Sequence, residues 1–547
     1  MRINHFVQLG LIALLATVNQ VPSSATTGQL ACSKAGMTSS ASAVLSQDSA
    51  TQAQASDYTY AASDITAVAL NGTITITKAG TYRLTGTMTN GQVIVNVNGN
   101  GIVRLLLANA NVTSKVGAAI DVKAAPKVVV MALPGTVNVL TDAATRKNSD
   151  KSTAAVFSKA PLSIAGTGML RINGKFNDAI GGTDGVVIAG GTLQLAAADD
   201  GIHGKDFVTV EKATISMNVG GDGIRSAGTK SNAFGYVAIS SGTVTVTARG
   251  DALQGLSDVV IGGGTLKLAA GGSAITSSCV TYFDKATATI AAGNDALHSD
   301  GETVVRGGVI NVSKAYEGIE GANVVISGGQ ISLITSDDGI NGAGGVDSSS
   351  MQGPGQQQKS TAKTEVYSNT LTNHFQLDGG KVVVNALGDG VDINGSAEIT
   401  GGLLVVSGPT ANNNGALDVD TTFNITGGTV IAVGSSGMAV APATSSPQAS
   451  LMGNFASTQA ANTILHVVDS SGHVIASFKS PKTYQSIVFS SSEVVKGKAY
   501  KIYLGGTMGG TTTGYYATGG SIDGATLYGS VTAGSYTNQG PGGAPRA

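Results

Sequence analysis

Short runs of alternating apolar and polar residues fill most of this chain, as in Thr243-Val244-Thr245-Val246 and Thr265-Leu266-Lys267-Leu268. That period of two predicts strands with one buried face. Glycine pairs stand before the runs, at Gly190-Gly191, Gly263-Gly264, Gly307-Gly308, Gly328-Gly329, Gly379-Gly380 and Gly401-Gly402, and mark corners. The runs are periodic. An acid, then Gly or Ala, then an aliphatic residue recurs at Asp178, Asp200, Asp222, Asp251, Asp295, Glu317, Asp338 and Asp389, with steps of 22, 22, 29, 44, 22, 21 and 51. The step of 44 splits evenly at Ser273-Ala274-Ile275, where serine replaces the acid, so the unit is about 22 residues.

A second feature keeps the same register. Leu193, Ile215, Val244, Leu266, Ala288, Ile310, Ile331 and Val382 each lie seven residues before their acid position. A unit this short cannot bury an apolar face alone and must stack on its neighbours. Leucine-rich repeats have similar length, but these units lack a helical segment and that family's Leu and Asn spacing. The prediction is all-β: a parallel β-helix of about 22 residues per coil, each coil about 4.8 Å above the last, with equivalent residues in columns. Residues 226–235 and 342–369 break the period and are read as loops. The division is a signal peptide at 1–25, a flexible leader at 26–56, the β-helix at 57–430, an antiparallel β-strand cap at 431–510 and a Gly/Thr/Ser-rich tail, read as mobile, at 511–547. The cap is expected because an open stack would expose unpaired strand edges.

Composition narrows the function. With 77 glycines, no tryptophan and 12% charged residues in 547, one repetitive strand-and-turn architecture fits better than several ordinary domains. A net charge of −2 without a basic, aromatic-rich patch argues against nucleic acid as partner. Arg2, the apolar stretch from Phe6 to Leu15 and Ser23-Ser24-Ala25 form a secretion-signal pattern too short to span a bilayer, so the protein is expected outside the cell or at its surface. Cys32 follows a poor lipoprotein box, which leaves a lipid anchor as the lesser alternative. Cys32 and Cys279 permit at most one disulfide, and neither is expected to matter.

Several segments resemble a known family. Leu70-Asn71-Gly72-Thr73-Ile74, Tyr82-Arg83-Leu84-Thr85-Gly86-Thr87, Pro126-Lys127-Val128-Val129-Val130, and above all Tyr316-Glu317-Gly318-Ile319-Glu320-Gly321 and Ser336-Asp337-Asp338-Gly339-Ile340-Asn341, look like bacterial secreted carbohydrate-binding-domain proteins. Those are right-handed parallel β-helices similar to family nine polysaccharide lyases. The resemblance implies a right-handed coil, calcium held between coils by stacked acids, and binding of plant-type or acidic polysaccharide. The missing acid at Ser273 departs from that pattern.

The residues themselves give a parallel reading. Carboxylates stacked about 5 Å apart repel by about 3 kcal/mol at an effective dielectric of 20, which a cation would relieve. Asp199, Asp200, Asp222, Asp251, Asp295, Glu317, Asp337, Asp338, Asp389 and Asp392 are therefore the candidate calcium ligands. Scattered histidines offer nothing for structural zinc. An Asp-Gly pair is equally a turn pair whose carboxylate accepts backbone N–H bonds. Three residues after the acid runs a polar column, and His203, Arg225, Gln254, His298, Glu320 and Asn341, with Lys205, are the candidate polysaccharide contacts. Without tryptophan, Tyr236, Tyr282 and Tyr316 are the available stacking rings. The sequence holds no H-E-x-x-H, G-x-S-x-G or P-loop motif. A calcium-dependent lyase using Lys205 or Lys267 as base, and a surface adhesion or spacer element, are the alternatives to a binding protein.

Overall fold

Each coil is built from three strands because three runs of alternating residues lie between corners. One coil shows the plan: Ile202–Gly204, then Phe207–Val210, then Ala213–Val219. A computed structural model describes residues 30–32, 45, 54–147, 150–229, 234–343, 367–368 and 372–538. The expected signal peptide, most of the leader and most of the second insertion lie outside the described residues. Among those described, the short strands pair in parallel into a 14-stranded ladder, and the other two strands of each coil build two further parallel ladders. The chain is a parallel β-solenoid of about 14 turns.

The sequence columns are structural columns. Leu193, Ile215, Val244, Leu266, Ala288, Ile310, Ile331 and Val382 are successive partners along the long-strand ladder. Ile180, Ile202, Ile224, Leu253, Ile275, Leu297, Ile319, Ile340 and Val391 run the same way along the short one. All are buried, and the inward aliphatic residues form one continuous core from Leu70 to Val488. Corner glycines such as Gly264 (φ 100°) and Gly329 (φ 93°) take a left-handed conformation that lets the chain turn into the long strand.

An antiparallel unit closes the far end. Tyr484–Ser490 pairs both with the last long strand, Thr429–Gly434, and with Ser450–Gln459, so the final edge of that ladder is occupied. A six-stranded antiparallel sheet follows. Thr526–Thr532, inside the segment read as a mobile tail, is its edge strand against Ala499–Leu504. Tyr536 and Asn538 bond to Pro442 and Ala441. Composition alone conceals this, because glycine and threonine serve a short strand as readily as a tail.

Cys32 and Cys279 are joined by a disulfide across 247 residues, so the expectation that neither matters is overturned. The bond ties the leader to an outer apolar patch of Val187, Phe207, Tyr236, Val260, Tyr282 and Val304, on which Cys32 and Leu45 also pack. Tyr236 stacks on Phe207 at 5.3 Å between centroids, and both Tyr236 and Tyr282 are buried there. They are unavailable to stack on a ligand.

Asp258 and Glu302 stand on the outward side of the same strands, one coil either side of Val280. Both are buried, and burial raises each carboxyl to about 7. Unfolded carboxyls titrate near 4. Between about pH 4 and 7 the folded chain therefore keeps protons that the unfolded chain has released, and stability falls as pH rises through that window. Asp258→Asn, fixed in the neutral form, is expected to match the parent at pH 4 and to melt roughly 1 to 3 °C higher at pH 8, at about 1 °C per kcal/mol for a chain of this length. Calorimetry at the two pH values checks it.

Candidate functional site

Stacking brings the acid motif of each coil over that of the last, and the acids meet backbone rather than only one another. The carboxylate Oδ1 of Asp178 accepts from the N–H of Asp200 (3.2 Å), Asp200 from Asp222 (2.8 Å), Asp222 from Asp251 (2.8 Å) and Asp251 from Ser273 (2.8 Å). The ladder resumes with Asp338 accepting from Asp389 (2.6 Å) and Asp389 from Gly415 (2.5 Å). Each acid thus caps a donor at the corner of the next coil, where the turn leaves the N–H outside the strand ladder. The turn role and the stacked column are the same atoms at work.

The second carboxylate oxygen faces the polar column three residues on. Arg225 lies 3.6 Å from Asp200 and 3.8 Å from Asp222, His203 lies 3.8 Å from both Asp178 and Asp200, and Gln254 donates to Asp251 at 3.0 Å. Asn341 donates to Glu317 at 3.0 Å. The two predicted columns are therefore one network. Glu320 and Asn341 are buried within it, whereas His203, Arg225 and Gln254 are partly exposed and Lys205 is exposed.

The doubled acids share a local construction. A glycine stands in the coil above each pair, and a Cβ there would fall 2.3 and 2.5 Å from the Asp199 and Asp200 oxygens (Gly221), or 2.4 and 2.3 Å from those of Asp337 and Asp338 (Gly388). Gly250 over Asp222 and Gly272 over Asp251 stand the same way above single acids, so glycine there makes room for the carboxylate oxygens of the coil below. Asp178, Asp199 and Asp200 can bring one oxygen each within 4.8 Å of the others. Around the second pair, burial first and the neighbouring carboxylates of Asp389, Asp337, Asp392 and Glu317 next hold Asp338 up to about 9. Burial, Asp392, Asp418 and Asp337 hold Asp389 up to about 8. The hydroxyl of Tyr316, one of the candidate stacking rings, is raised by burial and by the Asp337 carboxylate beside it.

Beside the first pair is a cavity of about 250 Å³ lined by Lys151, Thr153, Phe157, Gly181, His203 and Lys205 among others. Phe157, Gly181 and His203 are successive partners in the outward column, so the glycine removes one side chain from the row and leaves a notch. Sequence reading missed Lys151, Thr153 and Phe157, which precede the regular repeats. The signal was Gly181 itself, three residues after Asp178, where later coils carry a polar side chain.

The ladder gives a direct test of its structural role. With calcium removed, Asp200→Ala is expected to lose about 1 to 3 kcal/mol, because the Asp222 N–H loses its acceptor. Asp200→Asn, whose amide oxygen still accepts, is expected to lose much less. Denaturant unfolding of both variants in chelator measures the difference.

Residues 70–339 match the family model described as carbohydrate-binding domain-containing protein. A carbohydrate-binding domain-containing protein of Acetivibrio thermocellus is 34% identical over 128 residues, which span 23% of this chain and 45% of the relative. Among solved structures, a polysaccharide lyase-like protein from C. thermocellum, a gadolinium derivative, is 29% identical, covers 44% of this chain and 88% of its own, and has a TM-score of 0.36. Residues 70–339 of this β-solenoid are thus similar to carbohydrate-binding domain-containing proteins, the family that the Glu317 and Asp338 motifs resemble.

Proposed function

We propose that this is an exported protein that binds polysaccharide on the outward side of its short-strand face, with calcium held between coils by the doubled acids. The observation that carries the reading is the Gly181 notch, a sugar-sized cavity with Lys151, His203 and Lys205 at its wall. Lysines there would meet the carboxylates of an acidic chain, and Arg225, one coil beyond His203, would extend the contact along the column. The family match supports a carbohydrate partner.

For calcium, the residues fit. Asp178, Asp199 and Asp200, which offer one oxygen each within 4.8 Å of the others, and the neighbouring acids Asp337, Asp338, Asp389 and Asp392 supply hard oxygen donors. A bound calcium would supply the positive charge that lets such acids remain ionised side by side. The second group is the better candidate, because the Arg225 guanidinium already offsets part of the first. Export is supported by the Cys32–Cys279 disulfide, since such bonds persist in oxidising compartments.

Two measurements test the reading. The full chain is expected to bind polygalacturonate more tightly than a neutral glucan, more weakly as salt rises, and several-fold more weakly after Lys205→Ala or Arg225→Ala. Equal binding by both variants would place the groove elsewhere, and release of unsaturated uronate products would favour the lyase. Calcium at a hundredfold excess over its Kd is expected to stabilise the fold by about 2.7 kcal/mol. Asp338→Asn should remove more of that effect than Asp200→Asn, and a melting temperature indifferent to chelator would exclude calcium.

A further inference from the structure

We propose that Asp295, His298 and Glu320 form a site for one divalent transition-metal ion of the zinc class, distinct from the oxygen-rich acid pairs. Sequence alone gives no such site, because its histidines are scattered. Stacking assembles it. Leu297 and Ile319 are ladder partners, so Glu320 stands one coil above His298, and Asp295 lies at the corner before the His298 strand. One ligand atom from each of the three lies within 4.8 Å of the others. Zinc bonds to imidazole nitrogen and carboxylate oxygen at about 2.0 to 2.2 Å, which sets ligand atoms about 3 to 4 Å apart, so small side-chain movements suffice.

Three independent features point to a cation. The imidazole is oriented as a ligand: Nδ1 faces Glu320 Oε2 and lies 3.5 Å from Asp295 Oδ2, while Nε2 is 3.1 Å from Asp300 Oδ1. An Asp300 carboxylate accepting from Nε2–H fixes the tautomer whose Nδ1 lone pair is open to a metal, the carboxylate–histidine–metal arrangement. Second, Glu320 is 1% exposed and its Oε1 is buried with no hydrogen-bond partner, an oxygen without the compensation that burial demands. Third, the run of carboxylate-to-backbone caps is interrupted here. Ser273 takes the acid's place below, and Glu317, with its longer side chain, takes it above. A mixed nitrogen and oxygen donor set selects zinc, cobalt or manganese over calcium.

The competing description of these atoms is an imidazolium sealed between two carboxylates, with no metal. Cobalt(II) separates the two. Added to chelator-treated full-length protein in excess calcium, one cobalt per chain is expected to bind and give the intense visible bands of a four- or five-coordinate nitrogen–oxygen site, and zinc should displace it. His298→Gln and Glu320→Gln should lose the bands, and Asp300→Asn should weaken zinc binding about 10- to 100-fold. Asp338→Asn should leave it intact. Absence of stoichiometric cobalt or zinc binding by the parent protein, which needs no variant to fold, would overturn the site. Undiminished binding by His298→Gln would do the same.

Discussion

Everything in this molecule depends on the lateral hydrogen bonding of one coil to the next. Parallel strands a fixed distance apart hold each residue over its counterpart one repeat away, so one choice of side chain becomes a column. Inward columns become a ladder of aliphatic side chains that no single 22-residue unit could bury. Outward columns inherit the same regularity with a different consequence. Like charges that would be spaced freely on another surface are forced together, and the sequence must answer for each of them.

The acids answer in two ways. One oxygen of each accepts the N–H at the corner of the coil above, which the turn would leave without a strand partner. The other faces the polar column, where Arg225, His203 and Gln254 meet it. Beside Asp200 and Asp222 the Arg225 guanidinium offsets part of the acid charge, yet burial and the carboxylates of Asp178, Asp222 and Asp199 still hold Asp200 up to about 6. Near Asp338 and Asp389 the neighbours are acids, and the carboxyls are held far above their ordinary range. The same backbone rule therefore yields a partly offset stretch and a more strongly cation-demanding stretch within one ladder.

Periodicity made the fold legible. The Leu193-to-Val382 column and the Ile180-to-Val391 column were both readable because each repeat spends the same number of residues on each strand, and every one of those positions is a ladder partner. What could not be read was anything lying between columns. Cys32 and Cys279 are 247 residues apart and share no pattern, so only three-dimensional proximity reveals their bond. Tyr236 and Tyr282 looked like surface rings because they precede or follow inward residues, yet the outer face they occupy is itself apolar and covered. Threonine and glycine after residue 511 hid an edge strand for the same reason that edge strands are polar.

The candidate sites lie where the repeat is imperfect. A perfect column satisfies itself: every acid caps the next corner, every outward side chain has an identical neighbourhood, and no position is chemically singular. Gly181 breaks the outward row and opens a cavity. Ser273 and Glu317 break the acid row, and between them Asp295, His298 and Glu320 converge with a buried oxygen left over. The doubled acids add a carboxylate beside the one that caps the next coil. In a solenoid the regular positions hold the stack together, which frees the exceptions to take on binding chemistry. Departures from the repeat, located by register against their neighbours one coil away, are thus a physical guide to function that averaging over the repeat would erase.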